Sequence, residues 1–135
     1  MARAVRAIGP ARLGFLAGAW LFVVCVLIQV FLVGLDIFAK VDGSIHRDFA
    51  YVYGWLAPVL VLLSGAARVP AGTRSLTLVL LVLFAMQTVL PSLRDEVPIL
   101  AALHPVNALA IFAIAIAIAR RATEWVRPAD PAANP

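Results

Sequence analysis

Long apolar runs alternate with short polar interruptions along this chain, and the runs have the length of membrane-crossing helices. Residues 13–35, 49–67, 75–93 and 97–119 contain no Asp, Glu, Lys or Arg. A helix rising about 1.5 Å per residue needs roughly 20 apolar residues to cross a hydrocarbon layer about 30 Å thick. The pattern predicts an all-α polytopic membrane protein, an antiparallel bundle of four transmembrane helices. A basic tail occupies residues 1–12, the helical domain residues 13–121, and a C-terminal tail residues 122–135. Ala and Ile alternate over residues 110–119 with the period of a strand. An isolated strand would leave its backbone unpaired in lipid, so helix is predicted there too. No internal repeat is expected.

Along the first predicted helix, Gly14, Gly18, Cys25, Gln29 and Asp36 recur at helical spacing and share one face. Gly14 and Gly18 form a GxxxG pair that lets a neighbouring helix approach closely. Ala115 and Ala119 repeat that spacing in the fourth run. Pro58 and Pro91 each remove a backbone donor, which loosens the carbonyls of Gly54 and Gln87 and kinks the helices. Pro70 and Gly72 end the second helix, and Thr73 or Ser75 is the expected cap of the third. Asp42-Gly43 marks a turn, with Ser44 or Asp48 the expected cap of the second helix. Residues 128–135, rich in Pro and Ala, are expected to be disordered.

Composition narrows the class. The 135 residues are 64% hydrophobic and 13% charged, against about 25% charged in soluble domains. The net charge of +4 sits in linkers and tails, so it builds no basic face for nucleic acid. Of eleven cationic residues, eight fall in the two tails and the second linker. The positive-inside rule therefore puts both termini in the cytoplasm of a cell (inner) membrane. Arg3, Arg6 and Arg12 precede an apolar run too long for a signal peptide, so an uncleaved first helix is expected. Trp20 and Trp125 then lie toward the cytoplasm, and Tyr51, Tyr53 and Trp55 toward the outer interface. Cys25 is the only cysteine. It permits no intramolecular disulfide and is read as a packing residue.

The chemistry-bearing residues gather at one depth. His46 precedes the second helix and His104 opens the fourth, so both fall on the outer side. Gln29, Gln87 and Asn107 join them there. Polar groups in a membrane face the bundle interior and often mark a site. One reading is a b-type haem with His46 and His104 as axial ligands, the only metal role foreseen for them. Gly54 and Ala108 would leave room for the macrocycle. Gln29, Gln87 and Asn107 would stand behind it, with Arg47, Arg94 and Lys40 near its propionates. The alternative is interfacial histidines and amides that pack the bundle of a structural or assembly subunit. Another ligand, such as a quinone, is a third. A small transporter is disfavoured, because Gln29 is uncharged and Asp36 lies at the outer edge. No catalytic set is in register and no HExxH motif is present. The foreseen partners are the bilayer and either a membrane-protein partner or further copies of the chain.

Four short helices, His46 at the outer start of the second, and Leu103-His104-Pro105-Val106-Asn107-Ala108-Leu109 opening the fourth resemble a bacterial family of small four-helix membrane proteins of unknown function. The resemblance implies a membrane location and no particular activity. The layout is also loosely similar to b561-type cytochromes, whose bundles hold two haems on two His pairs. This chain supplies one pair.

Overall fold

A computed structural model describes residues 9–127, and these are helical apart from short turns. The elements are α1 (Pro10–Ala39), α2 (Ser44–Tyr53), α3 (Leu56–Ala66), α4 (Ala71–Val89), a 3₁₀ turn (Leu90–Leu93), α5 (Pro98–Ala101) and α6 (Leu103–Val126). They combine into four spans long and apolar enough to cross a membrane: Pro10–Ala39, Ser44–Ala66, Ala71–Leu93 and Pro98–Val126. The last helix runs on to Val126, into the segment assigned above to the C-terminal tail. The tail read as disordered, residues 128–135, lies outside the described residues, as do Arg3 and Arg6.

Each interruption within a span has a proline behind it. Pro58 cannot donate to the Gly54 carbonyl, and the chain breaks between α2 and α3; the Ala57 N–H takes that carbonyl instead, at 3.1 Å. Pro91 sits in the 3₁₀ turn that ends the third span. Pro105 withholds a donor from Ala101, where α5 stops and α6 begins. Two caps differ from expectation. The Asp42 carboxylate, rather than Ser44 or Asp48, holds the start of α2, accepting from the Ser44 N–H at 2.9 Å and the Ser44 hydroxyl at 2.8 Å. Those two bonds keep the Asp42 carboxyl below the usual carboxylate range. At the start of α4 the residue in the cap position is Pro70.

The first span packs against the second and fourth, and the third packs against the same two. The four spans thus form a ring of neighbours in chain order. The stripe on α1 faces the second span. Gly14 and Gly18 receive the side chains of Leu63 and Leu60, so these glycines make sockets for leucine knobs. Farther out, Asp36 lies against Gly43, where an added Cβ would come within 2.8 Å of its carboxylate. Phe22, Tyr53 and Phe84 form a mutual edge-to-face cluster, with centroids 5.3 to 5.9 Å apart. Tyr53 is therefore a buried core residue and not an interfacial anchor, whereas Tyr51 and Trp55 are 63% and 74% exposed. At the opposite end, Trp20 Nε1 donates to Thr123 Oγ1 at 3.0 Å and Arg12 stacks over Trp125 at 4.5 Å, joining the first and fourth spans.

The buried positions reveal a repeat that residue identities conceal. In the first half Phe15, Ala19, Phe22 and Val26 are buried; Thr73, Thr77, Leu80 and Phe84, each 58 positions later, are buried in the second. Tyr53, Ala57, Leu60 and Ser64 correspond in the same way to Ile111, Ala115, Ile118 and Ala122. The bundle is thus two helical hairpins of like orientation, related by an approximate two-fold axis running along it. Parallel repeats of this kind have their axis along the membrane normal.

Candidate functional site

The repeat extends to the polar residues. In each hairpin a glutamine in the second half of the first helix meets a histidine near the start of the second, with a separation of 17 residues in both cases. His46 Nδ1 lies 3.2 Å from the Gln29 carbonyl, and Gln29 Nε2 lies 3.3 Å from His46 Nε2. His104 Nδ1 lies 3.1 Å from the Gln87 carbonyl, and Gln87 Nε2 lies 3.1 Å from His104 Nε2. A carbonyl only accepts, so Nδ1 carries the proton in both rings. Nε2 then accepts from the amide. Each pair is a clasp that joins the two helices of one hairpin, toward the end away from the termini.

The two clasps are not equivalent. In the second, the carbonyl of Gln87 is the one that Pro91 leaves without its helical donor, and the His104 N–H occupies it. Asn107 adds a third member: its Nδ2 donates to the Leu83 carbonyl at 2.9 Å and to Gln87 Oε1 at 2.6 Å. In the first, Val33 lies inside the continuous α1 and keeps its N–H. Gln29 Nε2 has a further acceptor, the His46 carbonyl at 2.9 Å. The counterpart of Asn107 is Phe49. Gln29 Oε1 is accordingly buried without a hydrogen-bond partner in the structure.

This geometry bears on the haem expectation. The five residues Gln29, His46, Gln87, His104 and Asn107 do gather at one depth, but as two separate clusters. Both nitrogens of each imidazole face partners within the chain, so neither Nε2 is presented to an open position. The space expected beside Gly54 is taken by the Phe84 ring, whose Cε1 lies 2.7 Å from where a Cβ would stand. Arg47 and Arg94 are exposed and lie beside their equally exposed neighbours Asp48 and Asp95, at 3.5 and 3.6 Å. Exposed pairs of this kind contribute little. No group of three or more His, Cys, Asp or Glu able to hold a metal occurs among the described residues. The residues present do not fit a bis-histidine haem in this arrangement.

The half of the bundle nearer the termini holds Ser64 and Thr77, both fully buried. Their hydroxyls return to their own helices, Ser64 to the Val61 carbonyl and Thr77 to those of Thr73 and Arg74. They satisfy themselves and form no site. What the sequence reading missed was the pairing itself. The signal for it was the identical 17-residue interval from Gln to His in each half.

The comparisons with known proteins can be set against this geometry. Residues 29–93 match a family of unknown function, DUF6220. The matched segment begins at Gln29, covers His46 and ends after Gln87, so it contains the whole first clasp and half of the second. The Leu103–Leu109 motif lies beyond it. No curated protein and no solved structure matches the chain, and the likeness to b561-type cytochromes gains no support.

Proposed function

We propose that this protein is a non-catalytic structural or assembly subunit of a membrane complex, its outer-leaflet histidines serving as hairpin clasps. The observation that carries this reading is the use of both ring nitrogens of His46 and His104 in bonds between adjacent helices. A ligand-binding histidine keeps one nitrogen for its ligand. The polar residues buried in the bundle are Ser64, Thr73, Thr77 and Asn107, all uncharged, which suits packing better than proton coupling. The cation distribution orients both termini toward the cytoplasm of the cell membrane, with the clasps on the far side.

The test is a visible spectrum together with a topology map. Protein purified in mild detergent from haem-replete cells is expected to be colourless, and reporters fused to either end are expected to report the cytoplasm. A Soret band that disappears in both His46→Ala and His104→Ala would replace this reading with a single b-type haem. Reporters on opposite faces would remove the orientation.

A further inference from the structure

We infer that the clasp between the third and fourth spans is an acid-sensitive latch. The argument is a count of donors and acceptors. Two backbone carbonyls set the direction of every bond in the second clasp. The Leu83 carbonyl requires that Asn107 present its NH₂. That NH₂ also meets Gln87 and requires Oε1 there. Gln87 must then turn its own NH₂ to His104 Nε2, while the Gln87 carbonyl takes the Nδ1 proton. Neutral His104 completes the chain. Protonated His104 places an N–H against an NH₂. Rotating the Gln87 amide cannot relieve this, because it would set NH₂ against the NH₂ of Asn107. The latch must open.

The first clasp is held by a different group. Phe49 stands where the second hairpin has Asn107, and the His46 carbonyl itself accepts from Gln29 Nε2 at 2.9 Å. Turning the Gln29 amide toward a protonated His46 would set Oε1 beside that carbonyl and leave the NH₂ in the buried place where Oε1 has no partner.

The charged and titratable groups of the end away from the termini, whichever element carries them, are Asp36, Lys40, Asp42, Arg47, Asp48, Tyr51, Tyr53, Arg94, Asp95 and Glu96, besides the two histidines. None forms an ion pair or hydrogen bond with either imidazole. Carboxylates ordinarily titrate near pH 4 and imidazoles near 6.5, so a drop to about pH 5 addresses histidine first. Both rings are only partly buried and lie near the ends of their spans, where protons reach them. The latch adds an acid response to the structural role proposed above. It is read out separately, by melting rather than by colour or topology.

The experiment is thermal unfolding of the full chain in detergent at about pH 7.5 and about pH 5. The parent protein is expected to lose about 5 °C on acidification, the equivalent of a bond or two in a chain of this size. His104→Gln, which cannot titrate, loses a large part of it, and His46→Gln keeps that part. Asn107→Leu frees the Gln87 amide to rotate and shrinks the response while His104 remains, which guards against a His104 variant that folds poorly. A parent protein insensitive to pH across this range would overturn the inference. So would an acid response that is undiminished in His104→Gln or disappears in His46→Gln.

Discussion

Phe22→Ala is expected to destabilise the bundle by about 3 kcal/mol, more than any other single truncation of an α1 side chain. Phe22 is fully buried and touches both other rings of the core cluster edge-on, Tyr53 at 5.6 Å and Phe84 at 5.9 Å. In a soluble protein such a truncation costs about 3–5 kcal/mol, transfer and cavity terms together. Separated helices in a bilayer keep their side chains in hydrocarbon, so most of the transfer term is absent. The cavity term remains. At about 24 cal/mol per Å³, a void on the order of 100 Å³ costs roughly 2.4 kcal/mol. Loss of the two edge-to-face pairs adds about 0.5–1.5 kcal/mol each before relaxation. Leu80, its counterpart in the repeat, is likewise buried and lacks the aromatic pairs, so Leu80→Ala should cost less. Denaturant unfolding in mixed micelles measures both. A loss under about 1 kcal/mol for Phe22→Ala would show that the core collapses around the void, and that the aromatic cluster contributes little.

The bundle was legible in the sequence because lipid leaves a chain few options. Uncharged runs of spanning length dictate helices, and the helical spacing from Gly14 to Asp36 points one face of α1 inward. The depth of the polar residues followed from counting along antiparallel helices. Their partners did not, because depth says nothing of which neighbour a ring will face. His104 turns to the Gln87 carbonyl, as His46 does to that of Gln29, a pairing that emerges only when adjacent spans are placed side by side. Gly54 looked like open space for a ligand, yet a glycine invites whatever is adjacent, and Phe84 was adjacent. The repeat escaped notice for a related reason. A membrane core selects for volume and apolarity at a position, not for identity, so Phe22 can correspond to Leu80 and Tyr53 to Ile111. The few polar residues, Gln29 with Gln87 and His46 with His104, kept the register in plain letters.

His104→Ala is expected to cost about 2 kcal/mol, and His46→Ala less than about 1 kcal/mol, although the two residues occupy equivalent places. Removing His104 strands two groups at once. The Gln87 carbonyl has no helical donor, because position 91 is proline, and Gln87 Nε2 loses its acceptor. Unsatisfied groups of this kind cost about 1–3 kcal/mol each when fully buried. Bonds across membrane helices average nearer 0.6 kcal/mol, because the separated helices find other partners. A partly exposed site near the interface falls between these limits. Removing His46 strands neither group: Val33 still donates to the Gln29 carbonyl, and Gln29 Nε2 still donates to the carbonyl of residue 46. The same unfolding measurement reads the difference, and Pro91→Ala identifies its cause. In a His104→Ala background, Pro91→Ala restores a backbone N–H at that position for the Gln87 carbonyl, and part of the lost stability should return. In a His46→Ala background the same change has no carbonyl to rescue. Equal losses for the two histidines, or no rescue by Pro91→Ala, would mean that the proline-freed carbonyl is not what makes the second clasp the stronger one.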